Sequence, residues 1–424
     1  MQMTRRRMAV VGSGVAGLTA AHVLQRSADI TLYEADERLG GHADTHEVAL
    51  SDGRAVGIDT GFIVHNHRTY PQLLRLFAEL GVDTQESDMS MSISCGECGL
   101  EYAGGRGLTG LLPSLRAVTK PRYLRMLAEV RRFHSRAHTL LDGTDDELTL
   151  GEFLSAGRFS RYFVGHFITP MVAAVWSTAP TQAGDYPARF LFRFLDNHGM
   201  LTVTGAPTWY TVTGGSARYV EKLAKGLTAV ETSTPIRRVQ RTATGVEIRD
   251  DADTVEHFDA AVLAAHPHQA LGMLATPSAD ERALLGAIDY TVNPTLLHTD
   301  ISVLPRARRA QASWNYAMPS CDARPTSVQL SYNMSRLQRL DEIGADRTYV
   351  VSLNSEHRVD PSTIIDRMQY EHPVYTLDSV AARERLPELN DRVLAYAGAY
   401  HGWGFHEDGA RSGVAAAASL GVEW

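Results

Sequence analysis

Between residues 5 and 34 the pattern of apolar and polar positions changes twice. "RRRMAVVG" is a short unbroken apolar run, the form of a buried strand, "AGLTAAHVLQRS" follows with helical periodicity, and "DITLYE" returns to a short strand. Residues 114–141, "SLRAVTKPRYLRMLAEVRRFHSRAHTLL", carry apolar residues at mixed three and four spacing, which predicts one long basic helix. "TLLHTDISVL", "TSVQLSYNM" and "RTYVVSLN" show β-branched alternation and predict strands. "GTDDELTLGEFL" predicts a helix start with Thr149 as N-cap, its acidic run lying in a solvated turn. Neither repeats nor low-complexity segments interrupt the pattern. No uninterrupted apolar run reaches the roughly 18 residues of a membrane span. The expectation is therefore a soluble, cytoplasmic protein with at most a peripheral contact at the inner face of the membrane.

Composition narrows the function classes. A chain of 424 residues is long enough for two domains and a large core. A net charge of -8 argues against a nucleic-acid partner, whose binder would carry a basic excess. The basic stretch with Arg116, Lys120, Arg122, Arg125, Arg131, Arg132 and Arg136 reads as a solvated helix face, or as a rest for an anionic membrane surface or acyl headgroup. Three cysteines form no disulfide framework. The Cys95 and Cys98 pair in "SCGECG" lacks the second pair of a structural zinc site, so the expectation is loop cysteines, a redox CxxC as the alternative, and no metal. The "HPH" at 266–268 likewise lacks further spaced ligands.

The first strand, helix and strand enclose Gly12, Ser13, Gly14, Val15, Ala16 and Gly17, a GxGxxG turn, with Glu34 and Ala35 ending the second strand 20 residues after Gly14. The first glycine permits the tight turn, the second lets backbone approach a pyrophosphate, and the third lets helix and strand pack closely. The helix start offers free N–H groups and partial positive charge, and Glu34 can accept ribose hydroxyls. "TRRR" before an apolar stretch also has the outline of an export signal, but cleavage there would destroy a complete nucleotide-binding unit.

After Glu34 comes "EADERLGGHADT", with Arg38, Gly40, Gly41 and His42 as RxGGH. This resembles the RxGG motif of the flavin amine-oxidase superfamily, whose backbone and arginine pass beside the FAD phosphates and ribitol. His42 stands where that family has a further arginine, so only its backbone role carries over. "GIDTGFIVHN" resembles the family's approach to the isoalloxazine, through Thr60, Gly61 and Phe62. "STPIRRVQRTATGVEIRD" resembles the hairpin whose first strand, near Ile236, lies against adenine. "LAYAGAYHGWGFHEDGARSGVAAAASLG" resembles the closing FAD segment, implying Gly398, Phe405, His406, Asp408 and Gly409 at the cofactor. Ala399 replaces the acidic residue usual after its glycine, and Asp408 or Glu407 is expected to take over part of that role. The resemblance implies an α/β chain: a glutathione-reductase-like, Rossmann-like FAD domain from 1–75, 205–275 and 390–424, with a discontinuous α+β substrate domain from 76–204 and 276–389, the first part mostly helical and the second mostly strands. "DTGFIVHNHRTYPQLLRLFAELGV", "PMVAAVWST", "WYTVTGGSARYV" and "GAYHGWGFHEDGARSG" are most similar to bacterial NAD/FAD-binding proteins associated with cyclopropane fatty-acid synthases.

Many amine oxidases of the superfamily place a lysine beside flavin N5. This chain has only Lys120, Lys222 and Lys225, none within 280–389 where such a lysine is expected, which disfavours amine oxidation. Trp176, Trp209, Tyr210, Trp314, Tyr316 and Trp403 instead suit a slot for an apolar substrate, although aromatics also fill cores. His198, His298, His401 and His406 are candidate proton acceptors, each also readable as a structural histidine. The expectation is an FAD-dependent oxidoreductase that oxidises, desaturates or isomerises a fatty-acyl or other lipid substrate. The alternatives are a carotenoid or isoprenoid desaturase and a non-catalytic flavoprotein partner of a lipid methyltransferase.

Overall fold

The computed structural model describes residues 5–114, 119–202 and 205–424. Its first layer is a five-stranded, all-parallel sheet in the order Ala229–Glu231, Ala28–Tyr33, Arg6–Val11, Ala260–Leu263, Leu394–Tyr396. Strands of a parallel sheet are covered on both faces, which is why "MAVV", "AAVL" and "LAY" read as unbroken apolar runs. The alternation is present but hidden. Met8 and Val10 point into one apolar cluster with helices Val15–Leu24, Pro71–Leu80, Ala217–Gly226 and His406–Ser419. Ala9 and Val11 point into the other, beneath the antiparallel strands Ile236–Thr242, Gly245–Asp250 and Val255–Phe258. Arg6–Val11 is the middle strand, so cleaving it as an export segment would remove the centre of the sheet.

The first and last helices lie directly against one another. A Cβ on Gly409 would stand 2.6 Å from Val15 Cγ1, and one on Gly413 would stand 2.3 Å from the Ala16 carbonyl oxygen. Two glycines four apart on one helix face thus bring its axis onto the helix that follows the GxGxxG turn.

The second layer is a seven-stranded mixed sheet in the order Ile364–Pro373, Tyr290–His298, Val350–Leu353, Leu330–Asn333, Trp314–Met318, Met91–Cys95, Glu101–Gly104. The earlier stretch is mostly helical and the later one supplies most of the strands, as expected, but the division is not complete. The hairpin Met91–Cys95 and Glu101–Gly104 comes from the earlier stretch, and Met91–Cys95 pairs in parallel with Trp314–Met318, more than 200 residues later. Helices Pro121–Asp142, Leu150–Ala156, Thr169–Trp176 and Ala188–Asn197 pack against this sheet through one large apolar cluster. Thr149 caps its helix as expected, accepting the Glu152 N–H while the Glu152 carboxylate accepts the Thr149 N–H.

The basic helix of the described residues is Pro121–Asp142, and Arg116 lies outside the described residues. Tyr123, Met126, Phe133 and Ala137 form its buried stripe, with Arg122, Arg125, Arg131 and Arg136 exposed. Arg132 is held by Glu129 and lies over the Phe159 ring. No helix among the described residues is long and apolar enough to cross a membrane.

Gly413→Leu is expected to cost roughly 1–3 kcal/mol of stability by overpacking against Ala16, whereas Ala415→Leu, on the exposed face of the same helix, should shift stability by less than about 0.5 kcal/mol. Thermal unfolding of the two variants checks this.

Candidate active site

The turn after the first strand shows three glycines under three different constraints. Gly12 has φ +100°, and a Cβ there would meet the Ala264 carbonyl oxygen at 2.6 Å. A Cβ on Gly17 would lie 1.9 Å from the Gly12 carbonyl oxygen, whereas one on Gly14 would meet no atom within 4 Å. The first and third glycines are therefore required by packing, and the second faces open space at a helix start. That helix, Val15–Leu24, has no side-chain cap and no acidic residue in its first turn. Its N–H groups are thus disposed for an anion.

Glu34 is fixed beside this turn. Its carboxylate accepts the Ser13 N–H at 2.9 Å, the Ser13 hydroxyl at 2.5 Å and the Asp36 N–H at 3.1 Å. Ser13 Oγ in turn accepts the Gly40 N–H at 3.0 Å, and Gly14 and Gly40 form a parallel bridge, so the RxGG loop lies across the GxGxxG turn. The Arg38 guanidinium donates to the carbonyls of Leu39, Gly41 and Ala43 and pairs with Asp44. These contacts shape its own loop, which lies across the turn where the phosphates are expected. On the outer side, Ser233 and Thr234 N–H groups donate to the Asp36 and Glu34 carbonyls, which brings the approach to Ile236 alongside Glu34.

From Gly40 the chain doubles back over Thr60, Gly61 and Phe62. The Phe62 N–H donates to the His42 carbonyl at 2.6 Å and the Thr60 N–H to that of Asp44 at 2.9 Å. Gly61 allows this, since a Cβ there would fall 2.2 Å from the His42 carbonyl oxygen. Tyr370 closes the turn, its hydroxyl 2.6 Å from Thr60 Oγ1 and donating to Asp44 at 2.7 Å. The His42 ring lies 5.1 Å from Tyr370 and 5.5 Å from His372. Burial lowers the pKa of His42 to about 4 and that of His372 to about 3, so both are neutral at pH 7. The "HPH" motif gains a partner from the same strand: His266, His268 and Glu371 present ligand atoms within 4.8 Å of one another.

The closing segment completes the wall. Gly398 N–H donates to Ser412 Oγ, and His406 stacks on Phe62 at 3.7 Å with its Nε2 2.9 Å from the Tyr219 hydroxyl. The expectation for Asp408 and Glu407 is corrected. Asp408 accepts the N–H groups of Trp403 and Phe405 and pairs with Arg411, while Glu407 accepts those of Gln72 and Leu73, so both carboxylates are committed to fixing backbone.

Among the described residues, buried polar atoms of Tyr375, Tyr400, His401, Trp403 and His65 have no hydrogen-bond partner in the protein. Buried polar groups are nearly always satisfied. Tyr400, His401 and Trp403 belong to the closing loop, and Tyr375 touches it at Gly404. Together with the open Gly14, the uncapped helix and the fixed Glu34, they fit FAD: the turn would hold its diphosphate, Glu34 its ribose, and the closing loop the donors and acceptors of its ring.

Beside this loop runs an unbroken series of rings. Trp176 lies 4.8 Å from Phe194 and donates its indole N–H to the Trp403 carbonyl. Phe194 lies 4.8 Å from Phe405, 6.1 Å from Trp403 and 4.1 Å from His198, and His198 stacks on Trp209 at 6.0 Å. Tyr210 stands at the edge, stacked on His67 at 4.2 Å. Trp314 and Tyr316 occupy the same apolar cluster without joining the series; Trp314 meets Tyr332 edge-on. His198 Nδ1 lies 2.9 Å from the Phe194 carbonyl, to which it must donate, leaving Nε2 as the basic nitrogen.

His298 is a correction. Its Nε2 is engaged with Ser352 Oγ and its Nδ1 accepts the Asp300 N–H, inside the sheet. Tyr290, stacked on His266, begins the same strand, eight residues or about 26 Å away. His298 is a structural residue. The lysines are likewise elsewhere: Lys120 and Lys222 donate to backbone carbonyls and Lys225 is exposed. Sequence reasoning missed His65, Tyr370, His372 and Phe194. His65 lay within a stretch resembling the flavin approach; the other three carry no motif.

Residues 15–296 match the family of flavin containing amine oxidoreductases. An L-amino-acid oxidase from Pseudechis australis is 39% identical over 85 residues, which is 20% of this chain and only 16% of that enzyme. A putrescine oxidase structure with bound putrescine superposes with TM-score 0.70 at 16% identity over 98% of both chains. A CLA-producing fatty acid isomerase from P. acnes superposes with TM-score 0.68 at 16% identity over 96% of this chain and 97% of that one.

Because Gly14 alone of the three glycines has room for a side chain, Gly14→Ala should fold normally yet bind FAD at least about tenfold more weakly, about 1.4 kcal/mol, while Gly17→Ala should fail to accumulate as folded protein. Flavin titration and circular dichroism separate the two outcomes.

Proposed function

Because the chain belongs to the family of flavin-containing amine oxidoreductases, and is accordingly an FAD-dependent oxidoreductase, we propose that it acts on an apolar, fatty-acyl substrate by oxidation, desaturation or double-bond isomerisation. The observation that carries this reading is the ring series Trp176, Phe194, Phe405, His198 and Trp209, adjoining the closing loop with a neutral histidine in its midst. A cationic amine would be better served by an available carboxylate. Asp408 and Glu407, the carboxylates nearest this loop, are held by backbone N–H groups, and burial pushes the pKa of Glu407 up to about 7. The likeness to a fatty acid isomerase agrees with this choice, and the likeness to a putrescine oxidase makes amines the necessary control.

Bound FAD supplies an acceptor for a hydride leaving a substrate carbon. The chain's own residues do the rest. Trp176, Phe194, Phe405 and Trp209 bury an acyl chain and exclude water from it. His198, oriented by the Phe194 carbonyl, receives at Nε2 the proton that leaves with desaturation or migrates in isomerisation.

Anaerobic mixing of the purified flavoprotein with unsaturated and saturated acyl lipids should bleach the visible flavin band with at least one lipid, or shift a substrate double bond without net bleaching. Peroxide release with putrescine or other primary amines, and silence with every lipid, would overturn the reading; preference for long isoprenoids would replace the acyl chain by its alternative.

Burial lowers the pKa of His198 to about 4, far below the ordinary value of 6.5. A base with a depressed pKa stays neutral until acid reaches it, so the acid limb of kcat should fall near pH 4 and not near pH 6.5. His198→Phe should retain FAD and lose roughly 100-fold or more in kcat, a change read by steady-state kinetics beside flavin absorbance.

A further inference from the structure

We propose that Cys95, Cys98, His166 and Cys321 form a tetrahedral zinc site that ties together the two separated parts of the seven-stranded sheet's domain. The sequence shows a CxxC without a second pair; the fold supplies the missing half. Cys95 ends the strand Met91–Cys95, Cys98 lies in the turn of its hairpin, and Cys321 follows the strand Trp314–Met318. His166 comes from a third direction, on the π-helical turn Val164–Ile168. The four ligand atoms all lie within 4.8 Å of one another.

The spacing has the dimensions of one zinc ion. Zn–S bonds of about 2.3 Å and a Zn–N bond of about 2.0–2.1 Å give a tetrahedron with S···S edges of about 3.8 Å and S···N edges of about 3.6 Å. Cys95 Sγ and Cys321 Sγ are 3.8 Å apart, and Cys98 Sγ and His166 Nε2 are 3.6 Å apart. A disulfide would need sulfurs about 2.0 Å apart.

The surroundings are those of a ligand set. His166 Nδ1 lies 3.2 Å from the Tyr162 carbonyl, so it carries the proton and turns the Nε2 lone pair toward the sulfurs. Such a carbonyl partner is the usual outer support of a metal-bound histidine. Backbone N–H groups of Glu97 and Cys98 point at Cys95 Sγ, and that of Leu100 at Cys98 Sγ, as thiolates require. Gly96 N–H donates to the Met318 carbonyl, joining the turn to the strand that leads to Cys321. Three thiolates and an imidazole on Zn²⁺ leave one negative charge, and Lys120 Nζ stands 2.5 Å from the Cys98 carbonyl oxygen to offset it. Four protein ligands leave no open position, so the ion is structural.

The site is independent of the substrate reading, and its test needs no turnover. The full-length flavoprotein, purified under reducing conditions without a polyhistidine tag, should contain close to one zinc per chain by elemental analysis. Replacing the zinc with Co²⁺ should give thiolate-to-cobalt charge-transfer bands and the visible bands of tetrahedral cobalt. His166→Ala and Cys321→Ser should lower zinc content and melting temperature, with flavin absorbance reporting whether each variant has folded. A flavin-loaded wild-type protein with no zinc that also shows no thiolate bands when titrated with Co²⁺ overturns the proposal. So does a native Cys95–Cys98 disulfide found by mass spectrometry.

Discussion

The structure depends on a steric constraint: backbone must come closer to backbone than any side chain allows, at the turn that begins the first helix and along the helix that ends the chain. Gly17 brings the helix onto Gly12, with no room for a Cβ at 1.9 Å, and Gly413 brings the last helix onto Ala16, with none at 2.3 Å. One contact sets where the N–H groups of the first helix point. The other sets where the closing loop stands relative to them. The spacing between the open helix start and the closing loop, which would set where a bound FAD lies, is therefore built from glycines distant in the sequence, and the N-terminal motif is only half of the cradle.

Burial then determines the chemistry of what surrounds that cradle. His42, His65, His198 and His401 are pushed down to about 4 by desolvation, and His406 falls well below its ordinary value for the same reason. Imidazoles in such a setting are neutral at physiological pH, able to accept a proton but carrying no charge that would draw anions or repel an apolar chain. The acidic residues are treated differently. Asp44 and Asp59 accept hydrogen bonds from groups on other segments, and Asp408 from the loop just before its own helix, so these carboxylates hold loops in place.

Much of this could be read in advance because short-range rules governed it. The glycine spacing, the apolar runs of a doubly covered sheet and the Thr149 cap are local features, and the structure has them where the sequence puts them. Long-range geometry was not legible. His298 was one of four candidate proton acceptors, yet it lies at the far end of a long strand from His266 and the closing loop, and no local pattern reports which end of a strand meets a cavity. The parallel pairing of Met91–Cys95 with Trp314–Met318 was equally hidden, since register between segments so distant leaves no trace in either one. The contacts of Arg38 within its own loop were hidden as well. A guanidinium has five donors, and three carbonyls of its own loop engage two of its nitrogens.

Interleaving the two layers along the chain has a cost, because every crossing must be held in place, and Asp59 shows how one crossing is held. Its carboxylate accepts Thr45 Oγ1 at 2.6 Å, the Ser216 N–H and hydroxyl each at 2.8 Å, and Gln338 Nε2 at 3.3 Å, while its own N–H donates to Gln338 Oε1 at 3.0 Å. Three distant segments thus meet on one buried group whose lone pairs are nearly filled. Desolvation still wins over those bonds, lifting the Asp59 pKa to about 6. A raised carboxylate pKa means that the folded state prefers the protonated form, so Asp59 contributes its full stability in acid and loses it as pH rises from about 4 through about 6. An asparagine would avoid that loss and could keep its one oxygen on Thr45 and Ser216, but its amide N–H groups would then face the Gln338 Nε2 donor that Oδ2 accepts. The aspartate is retained at some cost in stability because it alone can accept from all of these donors at the junction between the cofactor turn and the substrate layer.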